Sequence, residues 1–139
     1  MFTFLPIAPI LEKKGVPSTF FVNTDFIDNK ALFYRYKVSL IIEKLRTNRA
    51  LLEPLSEVLY EKKYDIEDMS RALLSLNYTS INLIDKVADT IELCSDDYLT
   101  KEMPYLSTDQ IKVLIRKGFT IGSHSIDHPF FNDISINEQ

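Results

Sequence analysis

A single cysteine, Cys94, rules out an internal disulfide. Placed at a helical position among apolar neighbours, it reads as a small core residue rather than a nucleophile. No apolar run approaches the roughly 20 residues of a membrane span. The start, Met1-Phe2-Thr3-Phe4-Leu5-Pro6, lacks the basic opening of a secretory signal, so the chain as it stands reads as cytoplasmic. Dense basic clusters are lacking too; the nearest approach is Glu12-Lys13-Lys14, a mixed and solvated helix end. With a net charge of −4 and a pI near 5.2, nothing invites a phosphate backbone, and nucleic acid is not an expected partner. No segment is repetitive or low in complexity. Histidine is scarce: there are two, and both fall within residues 117–132.

What is present is an ordinary soluble balance. The 139 residues are 45% hydrophobic and 26% charged, one domain's worth that can bury roughly two thirds of its unfolded surface. Residues 5–14 carry a helical stripe of Leu5, Ile7, Ala8, Ile10 and Leu11, with Glu12, Lys13 and Lys14 opposite. Pro6 and Pro9 suit that helix only in its first turn. Gly15 stops it and Val16-Pro17 leads out. Residues 18–23, Ser-Thr-Phe-Phe-Val-Asn, form the short apolar, β-branched run expected of a strand covered on both faces in a parallel sheet. Helix, glycine, proline, strand is the second half of a β-α-β unit, whose first strand would precede Met1.

From 24 to 106 the pattern turns to helices without strands. Leu32, Phe33, Tyr36, Leu40, Ile41 and Leu45 predict an amphipathic helix over 32–48 with a basic exit at Arg46 and Arg49. A short helix over 51–60 carries Pro54 early. Asp65 can cap 66–76, whose inward face is Ile66, Met69, Leu73, Leu74 and Leu76. Thr79 or Ser80 can cap 81–94, where Ile84, Val87, Ala88 and Ile91 repeat at helical spacing. Each stripe reads as packing. Ser107-Thr108-Asp109-Gln110 is a capping box opening a helix over 109–117, with Ile111, Leu114 and Ile115 inward and Gly118 at its end. A strand over 119–123 follows, so the earlier helix-glycine-strand order recurs. A crossover between parallel strands needs only about a dozen residues; most of 24–106 is therefore expected as a helical insertion. Ser135-Ile136-Asn137-Glu138 is a second capping box just before Gln139. With the missing first strand, it reads as a chain cut from both ends of a larger fold.

The histidines, His124 and His128, stand four positions apart where the second strand ends. Pro129 forbids an ordinary helix through His128, which leaves both imidazoles on a loop at the carboxyl edge of a strand, where α/β folds build sites. Imidazole is the commonest protein ligand for zinc-type ions, and a catalytic site uses about three protein ligands. The same spacing also fits a hydrogen-bonded loop-end histidine beside a proline turn. Asp127, next to His128, suits a turn cap or an orienting partner better than a ligand.

The run Thr120-Ile121-Gly122-Ser123-His124-Ser125-Ile126-Asp127-His128-Pro129 resembles the second motif of the polysaccharide deacetylases (the NodB-homology family), His-Ser/Thr-x-x-His often followed by proline. Residues 6–22, from Pro6 through Gly15 to Thr19-Phe20-Phe21-Val22, are similar to that family's helix and second strand. The resemblance implies an α/β fold: a fragment of a distorted β/α barrel from 1–23 and 107–139, interrupted by a helical insertion over 24–106. It implies a hydrolase that removes acetyl groups from a glycan with a divalent metal of the zinc type. His124 and His128 would be the metal ligands, and Ser125 the hydroxyl that shapes the loop. The family's first motif, Thr-Phe-Asp-Asp-Gly, carries the metal-binding aspartate and the general base; it has no counterpart here and would lie before Met1. The later motifs would lie beyond Gln139. No catalytic residue is therefore assigned, the isolated chain is expected to be inactive, and its exposed sheet edges favour self-association. The other reading is a non-enzymatic helical interaction module built on 24–106, with the histidine pair incidental or structural.

Overall fold

Two glycines set the frame of the strand-bearing part. The computed structural model of the chain describes residues 4–59 and 64–139. Helix α1 (Phe4–Lys13) closes at Gly15, φ 62°, with Gly15 N–H donating to Glu12 O at 3.0 Å and Val16 N–H to Leu11 O at 3.0 Å. A later helix over Thr108–Arg116 closes the same way: Gly118 has φ 85°, its N–H donates to Ile115 O at 3.0 Å, and Phe119 N–H donates to Leu114 O at 3.1 Å. Both are Schellman closures, which need a left-handed residue that glycine adopts without strain. Each delivers the chain into a strand: β1 (Thr19–Val22) after the first, and Thr120–Ser123 after the second. Pro6 falls in the first turn of α1 as expected, whereas Pro9 lies inside it and supplies no N–H to the ladder.

The chain divides into two compact units, Met1–Leu32 with Asp96–His128, and Phe33–Ser95 with Pro129–Gln139. Its architecture is mixed α/β and mostly helical. In the first unit the two strands pair in parallel, with Phe20 opposite Ile121 and Phe21 opposite Gly122. Ala8, Leu114 and Phe119 are buried at its centre, and Leu11, Phe20, Leu106 and Ile121 pack against them. Phe20 meets Phe119 edge-on, with ring centroids 5.3 Å apart, an arrangement the ring quadrupoles favour. The expectation of a strand buried on both faces is corrected here. Side chains alternate across a strand, and this one turns Phe20 to the cluster while Phe21 is 65% exposed. The Phe21 ring lies across Gly122, where a Cβ would come within 2.6 Å of it.

The second unit holds helices α2 (Tyr34–Thr47), α3 (Leu52–Val58), α4 (Ile66–Ser75) and α5 (Ile81–Thr90). Ile41, Leu45, Leu55, Met69, Leu73, Ile84 and Val87 are sealed from solvent in one cluster. Asp65 caps α4 as its sequence predicts, its Oδ1 accepting from Glu67 N–H at 2.9 Å and Asp68 N–H at 2.8 Å. The expected end of the third helix at Tyr60 lies outside the described residues. Tyr36 and Leu74 were expected inward and are 48% and 56% exposed. They sit at the margins of their stripes, and the packed faces centre instead on Val38–Ile42–Leu45 and Met69–Leu73.

Helix α5 also ends early. Leu93 N–H donates to Ala88 O at 2.9 Å around Glu92, which takes φ 52°, and Lys44 Nζ donates to Ile91 O at 2.5 Å and Glu92 O at 2.9 Å. A lysine from α2 thus satisfies carbonyls left over at this terminus. Cys94 consequently falls outside the helix and is exposed, not a core residue. Asn77, rather than Thr79 or Ser80, makes the capping bond ahead of α5: its Oδ1 accepts from Thr79 N–H at 3.1 Å. Helix α6 (Ser95–Glu102), helix α7 (Thr108–Arg116) and strand β2 (Thr120–Ser123) follow along the chain. Ile115 of α7 was expected inward and is 55% exposed; Leu114 takes the buried place at 1%.

Candidate functional site

The carboxyl ends of β1 and β2 lie side by side, and the histidine loop leaves from that edge. Pairing runs past the strands: His124 N–H donates to Val22 O at 2.8 Å, Thr24 N–H to Ser125 O at 3.3 Å and Asp25 N–H to Ile126 O at 3.1 Å. Asn23 reinforces the seam from its side chain. Its Nδ2 donates to His124 O at 2.5 Å and to Ser125 Oγ at 3.2 Å. Ser125 Oγ in turn accepts His128 N–H at 3.0 Å, a hydroxyl turn that competes with regular backbone pairing. Ser125 and His128 take φ of 77° and 65°, conformations that cost a non-glycine residue energy unless its surroundings hold it there. The hydroxyl bond is one such restraint.

The loop doubles back and brings the imidazoles together. The His124 and His128 ring centroids are 4.6 Å apart, with planes at 53°. His124 is exposed, while Asp127 and His128 are half-buried. The segment after β1 is fixed independently of the histidines. Asp28, at φ 64°, accepts from the N–H of Thr108 at 2.6 Å and from its Oγ1 at 2.7 Å. The Thr108 hydroxyl, and after it the Thr108 amide, hold the Asp28 carboxyl below its ordinary value. Asn29 Oδ1 accepts from Tyr105 N–H at 2.9 Å. Ser107 and Gln110 make the predicted capping box, with Ser107 Oγ accepting from Gln110 N–H at 3.2 Å and Gln110 Oε1 from Ser107 N–H at 2.8 Å. The start of α7, which feeds β2, is thereby tied to the end of β1. A cavity of about 190 Å³ opens beside Asn23, lined by Phe21, Phe26 and Tyr105 among others; Phe26 stacks on Tyr105 with centroids 5.0 Å apart.

The polysaccharide deacetylase family model matches residues 4–139, across both strands and the helical stretch between them. The chain belongs to the polysaccharide deacetylase family. No curated protein and no solved structure matches it. Membership supports a hydrolase of the deacetylase type. In this member of the family, the sequence-predicted pair His124 and His128 is brought together at the strand edge. Two imidazoles at this separation fit a divalent ion in donor chemistry. Among the described residues no group of three or more His, Cys, Asp or Glu side chains could hold an ion. Sequence reading passed over Asn23 and Asp28. Asn23 carried one signal, a polar residue placed directly where an apolar strand stops.

Proposed function

We propose that this chain carries the two-histidine half of a metal-dependent polysaccharide deacetylase site, acting on an acetylated glycan. In this reading residues 1–23 and 107–139 are part of a β/α barrel and 24–106 an insertion into it. His124 and His128 hold a divalent ion of the zinc type. Such an ion supplies Lewis-acid activation of an acetyl carbonyl and of water. The chain's own residues present the two imidazoles at the strand edge and fix their backbone through Asn23 and Ser125. The single observation that carries the reading is the pair of rings 4.6 Å apart on a strand-end loop, in a chain of this family.

With no third ligand beside the pair among the described residues, the chain alone should hold metal weakly and hydrolyse slowly. The test is acetate release from an acetylated chitooligosaccharide with zinc. A residual rate far below that of an enzyme, lost in His124→Ala, is expected. An enzyme-like rate would overturn the incompleteness of the site, and undiminished release from His124→Ala would overturn the role given to the histidine pair.

The second reading, a helical interaction module, draws on the fully buried cluster of α2–α5, which is a core in its own right. Equal zinc affinity in wild type and His124→Ala would favour that reading.

A further inference from the structure

We infer that Asn23 is the positioning residue of the histidine pair, acting through Ser125. The inference rests on the two-histidine reading and adds to it a residue outside the His-x-x-x-His stretch, 101 positions away from His124 in sequence. One amide group spans both ends of the problem. Asn23 Nδ2 donates to the carbonyl of His124 and to the hydroxyl of Ser125, and that hydroxyl accepts the backbone N–H of His128. The first bond fixes the residue that carries one imidazole. The second and third run through a single oxygen to the residue that carries the other.

The backbone explains why a restraint is needed. His128 at φ 65° directly precedes Pro129, and residues before proline are biased toward extended backbone. Ser125 at φ 77° is also in a region where non-glycine residues are strained. Released, the loop would relax toward negative φ and carry His128 away from His124. The main-chain bonds from Thr24 and Asp25 hold Ser125 and Ile126, and the Ser125 hydroxyl carries that restraint on to the His128 amide. Asn23 is fixed in turn because it follows β1 directly and its carbonyl accepts Phe26 N–H at 3.3 Å.

The experiment uses the full chain and the variants Asn23→Ala, Ser125→Ala and the double variant. Two readouts are taken: the nuclear Overhauser contact between the His124 and His128 rings without metal, and zinc affinity by calorimetry. Both single variants should lose the ring contact and weaken zinc binding about 10-fold or more, the size seen when groups that orient a ligand are removed. The double variant should lose little more than either single one, because both substitutions break one path. A thermal melt on each variant separates positioning from folding.

A lower melting point with an intact ring contact and zinc affinity within about twofold of wild type would overturn the inference. Equal zinc binding by wild type and His124→Ala would instead defeat the metal reading. The ring contact would still decide whether Asn23 positions the pair.

Discussion

Replacing Gly118 by alanine isolates a single physical quantity. Gly118 sits at φ 85° with nothing within 4 Å of the place a Cβ would occupy, so the change creates no clash with the rest of the chain. What remains is the left-handed backbone, which costs a non-glycine residue about 1–2 kcal/mol. Alanine also narrows the unfolded ensemble, and that offsets roughly 0.5 kcal/mol of the loss. The net expectation is a destabilisation of about 1 kcal/mol, read in urea denaturation, or a melting point lower by roughly 3–6 °C. Gly118→Asn should fall between wild type and alanine, since asparagine tolerates left-handed backbone. The consequence extends beyond stability, because Gly118 aims α7 into β2 and β2 into the histidine loop. If alanine proves as stable as wild type, or asparagine costs as much as alanine, the left-handed closure is not what Gly118 contributes.

Leu73→Ala, at a fully buried position, should cost about 2–5 kcal/mol; Leu74→Ala, 56% exposed, should cost well under 1 kcal/mol. Equal losses in denaturant midpoints would contradict the packing described for α4. The Asp28 carboxyl is held below its ordinary value of 3.8 by Thr108, so its ionised form favours the folded chain. That advantage is present above the unfolded value and lost as pH falls through the lower folded value. The gap in stability between wild type and Asp28→Asn should therefore narrow on acidification below about pH 4, and a gap constant from pH 7 to pH 2 would refute the assignment. Among the described residues β1 and β2 form a two-stranded ribbon on which Phe21 is 65% exposed, and strand edges with apolar surface promote association. Light scattering at tens of micromolar, roughly where such surfaces associate, should report species larger than the monomer; a clean monomer would count against it.

The grammar of the fold was legible where local chemistry decides it. Gly15 and Gly118 announced their closures, Asp65 its cap, and Ser107 with Gln110 its capping box. Each of those signals is completed within a few residues. Ile84, Val87, Ala88 and Ile91 were legible because a helix on a core repeats its apolar face. What escaped depends on partners distant in sequence. The early stop of α5 is stabilised by Lys44 from another helix, with Glu92 rather than glycine at the left-handed position, so nothing local foretold that Cys94 would be exposed. The choice between Leu114 and Ile115, or Leu73 and Leu74, turns on small helix rotations that a stripe of apolar residues does not resolve. At the site the histidine pair was visible as a motif. The amide of Asn23 and the carboxylate of Asp28 became meaningful only once the chain brought 23–29 alongside 105–128.

The most direct test of the histidine pair follows the four ring nitrogens of His124 and His128 by 15N-labelled imidazole spectra during zinc titration. Nitrogens from both residues should shift together and saturate at one ion per chain, with the response abolished in either His→Ala variant. If only one ring responds, if the two titrate at different stoichiometries, or if neither moves at millimolar zinc (roughly the weakest affinity of interest, about −4 kcal/mol), the pair does not grip a common ion and the proposed site is wrong.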